Sequence, residues 1–299
     1  MSLGFRCIGL ETITTLCFGD SASCFESEDF HSPVLDSMES IVSWFMVFKH
    51  FWVVRQLILL VPEWVALILF KRGVAFAQMK NAFARKIDKI QAGLNKQEET
   101  EFPLIYRALC DPEQYTKGKR MPTRASLLEE SIALVIAGTD TTGATMTMAT
   151  YQLCKRPDKM NRVKAEIKEL WPDLHGPMPK AAQLEKLPYL TIVSMGVLFP
   201  MQHPYAFEKP EQFIPERWLT EDREAQERHE KFFVPFSKGP RSCLGINLAW
   251  CEMYLALASL YRRFDINLDG TKDEDFDWID VGLALFKAPL KCYVSPVVE

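Results

Sequence analysis

The sequence predicts a mainly α-helical fold with a small β component, an α+β arrangement. Apolar residues recur at helical spacing over two long segments, 126–154 and 244–262. The chain has 299 residues and is 48% hydrophobic, which is enough apolar material for a large core. The region 281–294 alternates in the manner of strands and predicts a small β-hairpin around Ala288-Pro289.

The first predicted elements are two helices separated by a polar, acidic loop. One helix runs over 3–18 and is ended by Gly19-Asp20. The other runs from Pro33 to about Phe48, with its apolar side chains on one side. The start of the chain is therefore expected to be helical.

The segment 51–70 allows two interpretations. It holds two short apolar pieces on either side of Pro62, bordered by aromatic and basic residues. Such a mix suits a segment that lies in a membrane surface, and it suits equally core helices broken by a proline. Charged residues interrupt the apolar runs of 41–70, and none of these runs reaches the ~20 residues that a spanning helix needs.

Two further helices flank the longest one. The first is expected over 74–97, and a charged, proline-containing connection over 96–123 follows it, with one short helix at 104–109. The second starts at Pro157, a residue favoured at the first helical position, and ends after Leu170.

The longest predicted helix carries an unusual polar segment. Its start is indicated by a capping-box pattern, Ser126-x-x-Glu129, and it runs to Cys154. It is apolar nearly all round, so it is expected to be central and buried. In its middle stands 137–142, Ala-Gly-Thr-Asp-Thr-Thr, although Gly and Thr are poor interior helix formers. An acid and hydroxyls in a buried helix indicate a functional site; the alternative is a kinked core helix whose threonines bond to carbonyls one turn back.

Composition and cysteine spacing exclude several classes of function. The net charge of −4 is too small to indicate a nucleic-acid partner. The eight cysteines form no C-x-x-C pair, so the spacing typical of zinc sites is absent. No secretory signal is recognisable at the start, which predicts reduced thiols facing the cytosol.

The decapeptide 236–245, Phe-Ser-Lys-Gly-Pro-Arg-Ser-Cys-Leu-Gly, places Cys243 immediately before the predicted helix 244–262. The positive end of the helix dipole and the unpaired N–H groups favour a thiolate there, which is a metal ligand or a nucleophile. Taken alone, a single cysteine is more often a buried structural residue. The neighbours favour a ligand, because they provide backbone that can approach a flat group, a cation two residues from the sulfur and an apolar ring. They are Gly239, Gly245, Arg241 and Phe236.

These residues match the F-x-x-G-x-R-x-C-x-G loop of the cytochrome P450 family at every fixed position, and the chain resembles that family. The segment 137–142 resembles the family's A/G-G-x-D/E-T-T motif, and 215–218, Pro-Glu-Arg-Trp, resembles its meander. The resemblance implies a mainly α (α+β) P450-like fold, incomplete, in one partial domain over 1–299. Early helices and the interfacial segment would occupy 1–123, and a haem-binding core would occupy 124–299.

The resemblance also implies roles in the loop around the cysteine. The thiolate of Cys243 would be the axial ligand of the iron of haem b. Arg241 would pair with a haem propionate, and Phe236 would pack beside the sulfur. Gly239 and Gly245 would belong to the same cofactor-binding loop.

On the long helix, the resemblance implies that Ala137 and Gly138 lie over the distal haem face, where Gly138 opens the helix for dioxygen. Asp140 and Thr141 would relay protons to the oxygen bound there. These two residues are the predicted catalytic pair.

The chain departs from the family's pattern in two places. None of its Glu residues has Arg three positions on, so the E-x-x-R motif is absent, and Arg217 of the meander lacks its expected acidic partner. Since an unpaired buried cation is costly, Arg217 is expected to turn to solvent or to another acid. After Val193 the sequence continues as if roughly forty to fifty residues, including several strands, were lost. By the same resemblance, counterparts of the family's anchor and first helices are not expected within 1–299.

The resemblance implies a haem-thiolate monooxygenase of the type found in fungal secondary metabolism. It would insert one atom of O2 into an apolar small molecule, such as a terpenoid or another secondary metabolite, with electrons from NADPH through a cytochrome P450 reductase. By resemblance it would be associated with the cytosolic side of the endoplasmic reticulum, with peripheral contact through 51–70, or else be cytosolic. The lack of E-x-x-R favours an alternative, a non-catalytic remnant that binds haem weakly or not at all. A cysteine-nucleophile hydrolase is disfavoured because the five histidines lie in no recognisable motif.

Overall fold

The structure is a computed structural model, and it is predominantly helical. The residues that it describes are 1–30, 32–39, 50, 51, 53, 56, 71–93, 101–115, 120–195, 205–210, 212–280 and 284–298.

Helices account for most of the described chain, as the apolar periodicity predicted. They are α1 (Ser2–Phe18), α2 (Lys71–Gly93), α3 (Ile105–Cys110), α4 (Arg124–Cys154), α5 (Pro157–Leu170), α6 (Ala181–Leu184), α7 (Pro188–Met195), α8 (Arg223–Phe232) and α9 (Ile246–Arg263). Short 3-10 turns lie at Cys24–Glu26, Pro112–Gln114, Pro215–Leu219 and Asp273–Phe276.

The strands form two small antiparallel ribbons, and their partners differ from the predicted hairpin over 281–294. Strand β1 (Phe264–Leu268) pairs with β4 (Cys292–Pro296), and β2 (Trp278–Asp280) pairs with β3 (Ala284–Phe286). Local alternation indicates where strands lie but not which strands meet, because the partner is chosen by packing from distant parts of the chain.

The ends of several helices have identifiable causes. Gly19 follows α1 with a φ of 75°, a left-handed conformation that suits glycine, and its N–H donates to Thr15 O at 2.8 Å. Pro157 opens α5 as predicted. The capping box expected at Ser126 is replaced by an earlier cap: α4 begins at Arg124, and the hydroxyl of Thr123 accepts from the Ser126 N–H at 3.2 Å.

Two predictions fall largely outside the described residues. Residues 33–39 are helical, which agrees with the helix expected from Pro33, but its continuation to Phe48 lies beyond them. The same holds for almost all of the segment 51–70. Within the described ranges, none of the helices is both long and apolar enough to span a membrane.

The chain divides into two compact units. The first comprises Met1–Phe5, Thr142–Asp275 and Ala288–Glu299. Its core is built from fully buried side chains of α4, α5, α6, α7 and α9. They include Leu153, Val163, Ile167, Leu184, Leu190, Leu257 and Tyr261. The Tyr261 hydroxyl lies 2.9 Å from the Thr150 hydroxyl, which satisfies both polar groups inside this core.

The second unit comprises Arg6–Thr141 and Phe276–Lys287. Aromatic contacts join its helices: the ring of Phe18 on α1 lies 5.5 Å from Phe83 on α2 and 4.7 Å from Tyr106 on α3. The buried Tyr106 hydroxyl donates to the carbonyl of Leu127 on α4 at 2.7 Å. Four helices of this unit therefore meet around one aromatic cluster.

Candidate functional site

The predicted cysteine loop lies in the first unit, between α8 and α9. Gly245 occupies the N-cap position of α9, and its carbonyl accepts the first helical hydrogen bond, from Ala249 N at 2.9 Å. Cys243 therefore stands three positions before Ile246, the first residue of α9, whereas the sequence predicted a helix that begins directly after the cysteine, at 244. The Cys243 backbone N–H donates to Phe236 O at 2.8 Å, and this hydrogen bond closes the loop 236–243.

Two residues of the loop have left-handed backbone conformations. Gly239 has a φ of 93°, and Ser237, which pays a steric cost there, has a φ of 60°. The turn continues with a hydrogen bond from Ser242 N to Gly239 O at 3.1 Å. The loop thus has a defined shape that bends its backbone around the thiol.

The thiol and its neighbours face open space. Cys243 and Arg241 are exposed, and Leu244 is 92% exposed, which is unusual for a large apolar side chain. A Cβ added at Gly239 would have no heavy atom within 4 Å, and one added at Gly245 would lie 4.0 Å from the Cys243 sulfur. Cys243 is therefore not the buried structural cysteine of the alternative interpretation.

Phe236 anchors the loop to α9. Its ring lies 5.6 Å from that of Trp250, which is itself stacked on Tyr254 at 5.4 Å. Since Phe236 also accepts the hydrogen bond from Cys243 N, one residue connects the position of the thiol to the helix that follows it.

The loop residues fit a haem. An exposed sulfur at a helix N-terminus is the donor that a haem-thiolate iron requires, and the exposed Arg241 offers a cation for a carboxylate. The two glycines leave the approach free of side chains, and the exposed Leu244 supplies apolar surface.

The segment Ala137–Thr141 lies on α4 in the second unit. Ala137 and Thr141 are exposed, together with Ala133 one turn earlier, so α4 is not buried all round as expected. Residues at i, i+4 and i+8 share one helix face, and here that face carries small side chains. The Thr141 hydroxyl donates to Ala137 O at 2.7 Å. Such a bond to a carbonyl one turn back is the one expected if the segment is a kinked core helix.

Asp140 forms an ion pair that sequence reasoning missed. Arg6 of α1 donates from Nε to Asp140 Oδ1 at 2.8 Å and from NH1 to Glu39 Oε1 at 2.7 Å. The side chains of Arg6 and Asp140 are only 17% and 14% exposed, whereas that of Glu39 is 60% exposed. One signal was available: Arg6 is the only Lys or Arg among residues 1–48, and a cation in an apolar helix needs an acid.

Burial raises the pKa of Asp140, and the guanidinium of Arg6 offsets only part of this rise. Burial lowers the pKa of Arg6, but Asp140 and Glu39 more than compensate, so the arginine stays charged. Asp140 is thus a carboxyl group that can take up a proton more readily than an exposed aspartate.

Gly138 marks a close approach of α4 to α1. A Cβ at Gly138 would lie 3.1 Å from two side-chain atoms of Ile13. A Cβ at Gly9 would lie 2.7 Å from the backbone oxygen of Gly138. The role of Gly138 in admitting dioxygen stays a prediction, and the close contact at Gly9 was not predicted.

The meander arginine has partners other than those predicted. The guanidinium of Arg217 donates to the carbonyls of Glu208 at 2.9 Å, Lys209 at 3.3 Å and Gln212 at 3.3 Å, and its Nε donates to its own turn at Ile214 O. A guanidinium has five donors in one plane, so it can bind several backbone carbonyls of a compact segment at once. These bonds to the backbone were not predicted.

Comparison with protein families gives one match over almost the whole chain. The family model described as cytochrome P450 matches residues 1–198 and again 191–292. The two matched segments meet at 191–198, beside the point after Val193 where the sequence indicated missing residues.

Several curated fungal proteins have sequences similar to this chain. Cytochrome P450 monooxygenase macH of Penicillium terrestre is 30% identical over 96% of this chain and 63% of its own length. Cytochrome P450 monooxygenase flvC of Aspergillus flavus is 28% identical over 88% of this chain and 54% of its own length. N-acetyltryptophan 6-hydroxylase ivoC of Emericella nidulans is 28% identical over 93% of this chain and 61% of its own length. The chain thus spans little more than half to three fifths of the length of these relatives.

A solved structure shares the fold. The crystal structure of the cytochrome P450DA heme domain superposes with a TM-score of 0.74 at 16% identity, covering 99% of this chain and 68% of that one. The fold class predicted from the helical periodicity and the motifs is confirmed.

Proposed function

Since this chain belongs to the cytochrome P450 family, we propose that it is a haem-thiolate oxidoreductase that hydroxylates an apolar small molecule. The observation that carries the proposal is the exposed Cys243 at the N-terminus of α9, inside a loop that matches the family's pattern at every fixed position. When bound, haem b would supply the redox chemistry that activates dioxygen and transfers one oxygen atom to the substrate.

The loop residues would bind and orient the cofactor. Cys243 would hold the iron through its sulfur, and the hydrogen bond from its N–H to Phe236 O would fix the direction of that sulfur. Arg241 would pair with a propionate. Gly239 and Gly245 would keep side chains out of the plane of the ring.

On α4, Asp140 and Thr141 would handle protons. The raised pKa of Asp140 supports a role in proton uptake, because a carboxyl that is less acidic than usual can hold a proton and pass it on. The Thr141 hydroxyl, exposed and bound to Ala137 O, can donate and accept at the same oxygen. Ala137 and Gly138 would leave room beside these groups.

The substrate and partners follow from the relatives. Their names describe monooxygenases and, in one case, a hydroxylase of N-acetyltryptophan, so we infer an apolar or aromatic secondary metabolite as substrate. Electrons would come from NADPH through a cytochrome P450 reductase. Contact with the cytosolic face of the endoplasmic reticulum, through 51–70, is part of the same proposal.

The test is the spectrum of the reduced, carbon-monoxide-bound chain expressed with haem supplied. We expect a strongly red-shifted Soret band, which reports thiolate ligation, and we expect Cys243→Ala to abolish it. Cys251→Ala is the matched control, because Cys251 lies on α9 itself and is only partly exposed; it should leave the band in place.

Two outcomes contradict the proposal. A red-shifted band that survives in Cys243→Ala would assign the ligand to another residue. Haem binding without the shift, or no uptake at all, would favour a non-catalytic remnant.

A further inference from the structure

Helix α7 is held at its N-terminus by acids from elsewhere in the first unit. The Glu166 carboxylate of α5 accepts from the backbone N–H groups of Tyr189 at 3.0 Å and Leu190 at 2.8 Å. These N–H groups have no partner inside the helix, and a carboxylate is favoured there by the helix dipole. The start of α7 is therefore fixed to α5.

A second acid, Glu216, joins the meander turn to these same helices. The Tyr189 hydroxyl donates to Glu216 Oε1 at 2.7 Å, and Lys159 Nζ of α5 donates to Glu216 Oε2 at 2.7 Å. Arg162 lies 4.0 Å from Glu216 Oε1, with its guanidinium 4.4 Å from the centre of the Tyr189 ring. Both carboxylate oxygens are thus engaged by different elements.

Burial distinguishes this cluster from an ordinary surface ion pair. Tyr189 is 2% exposed, Lys159 is 16% exposed along its side chain and Glu216 is 38% exposed. Burial acts to raise the pKa of Glu216, but the bonds from Lys159 and Tyr189 lower it below its ordinary value. Charge-assisted bonds of this length in a partly buried site are stronger than exposed pairs.

The turn that carries Glu216 is connected to the cysteine loop. Trp218, two residues on, packs against Phe233 at 5.0 Å and against His229 of α8 at 5.6 Å. Phe233 stands three residues before Phe236, which accepts the hydrogen bond from Cys243 N. A shift of the turn would thus be passed to the loop through packed rings.

We propose that Glu216 is a positioning residue, which clamps the 215–219 turn to α5 and α7 and through it sets the shape of the Cys243 loop. In the E-x-x-R arrangement, which this chain lacks, the meander supplies the cation and its acidic partner lies elsewhere. Here the turn supplies the acid, α7 supplies a hydroxyl and α5 supplies the cation. The clamp itself is argued from contacts in this chain, and only its effect on haem ligation rests on the proposed function.

The first test uses hydrogen exchange of the haem-free chain. Glu216→Gln and Tyr189→Phe should each speed exchange of the amides in 213–219 by about tenfold, the loss expected for a hydrogen bond to a charged group. The double variant should add little to Glu216→Gln alone, because the Tyr189 hydroxyl donates to the carboxylate that this change already removes. The amides of Ser242 and Cys243, which close the loop, should also exchange faster.

Matched controls separate the clamp from general effects. Glu169→Gln alters an exposed acid on α5, and Tyr293→Phe removes an exposed hydroxyl on β4; neither should change exchange in 213–219. Lys159→Met should resemble Glu216→Gln, whereas Lys159→Arg should restore part of the protection. Unchanged exchange within α2, in the second unit, would show that each variant is folded.

The second test uses the haem-loaded chain. Among reduced, carbon-monoxide-bound molecules, the fraction with the red-shifted thiolate band should fall at least about twofold in Glu216→Gln, since a carboxamide keeps the shape but not the charge. The fraction should stay unchanged in Glu169→Gln and Tyr293→Phe. A merely structural residue would lower the amount of folded protein without changing this fraction.

Each result decides a separate point. Unchanged exchange of 213–219 in Glu216→Gln and Tyr189→Phe would overturn the clamp. Faster exchange there, with Ser242 and Cys243 unaffected and the thiolate fraction unchanged, would overturn its role in positioning. If the unaltered chain takes up no haem, the proposed function fails, and the loop amides alone decide whether Glu216 sets the loop.

Discussion

Arg6 and Asp140 form a largely buried ion pair between residues 134 positions apart, which joins α1 to α4 through a 2.8 Å contact between Nε and Oδ1. The pair lies beside the closest approach of the two helices, where Gly9 meets Gly138. The predicted proton-handling acid is therefore also a structural contact.

We expect Arg6→Met to lower the free energy of unfolding by about 2–3 kcal/mol, because Asp140 is left buried without its cation. Glu39→Gln, which removes the exposed partner of the same arginine, should cost less than about 0.5 kcal/mol. Urea unfolding of the two variants measures the difference. Equal losses would mean that the pair with Asp140 is no stronger than the surface pair.

Gly9→Ala should be strongly destabilising, by about 2–4 kcal/mol, since overpacking against backbone cannot be relieved by a rotamer change. The new Cβ would lie 2.7 Å from Gly138 O. Gly93→Ala is the matched control, because Gly93 ends α2 with nothing within 4 Å, and it should be neutral or slightly stabilising. Thermal unfolding compares them, and a well-tolerated Gly9→Ala would contradict the tight crossing.

Thr141→Ala should change stability by less than about 0.5 kcal/mol, because the side chain is exposed and its hydroxyl bonds to a backbone oxygen of its own helix. If Thr141 handles protons, product formed per NADPH consumed should nevertheless fall. Thr147→Ala, whose buried hydroxyl bonds to Gly143 O at 2.7 Å, should leave that ratio unchanged in folded protein. An unaltered ratio in Thr141→Ala would count against the proton role.

Because His229 is buried, we expect the protein to lose stability in mild acid. Burial lowers the pKa of His229 from the ordinary 6.5, with further contributions from Arg217 and Arg228, against an opposing effect of Asp222. The folded state disfavours the charged ring, so the neutral ring's contribution to the free energy of unfolding is present above about pH 6.5. It is lost as the pH falls below that value, with a slope of at most ~1.4 kcal/mol per pH unit.

The measurement is the free energy of unfolding at pH 7 and pH 5.5, for the unaltered chain and for His229→Gln. The difference between the two pH values should be smaller in the variant, since glutamine does not titrate. An identical pH dependence would show that His229 is accommodated equally well with its charge.

Features set by local sequence could be predicted from it. The start of α5 at Pro157 and the end of α1 at Gly19 follow from backbone restrictions of single residues. The place of Cys243 before α9 followed from the motif and the apolar spacing after it. Such features need no knowledge of distant contacts.

Features that depend on contacts with distant parts of the chain could not be predicted from the sequence. The sequence indicated strands near the C-terminus, but β4 pairs with β1 rather than with its neighbour. Arg217 binds backbone carbonyls of the segment before its turn, such as Glu208 O, while its neighbour Glu216 makes the contacts to α5 and α7. Periodicity contains no information on which of two adjacent charged residues faces inward, because a 3-10 turn directs them differently from a helix.

The exposure of Cys243 has a practical consequence for chemical labelling. All eight cysteines are unpaired, and Cys243 alone is exposed, whereas Cys154, Cys251 and Cys292 are half-buried and the other four are buried. A brief pulse of a maleimide should therefore mark this chain at a single position, and a tightly bound cofactor on the sulfur should protect it. Mass spectrometry of one peptide would then count occupied and vacant molecules in a mixed population.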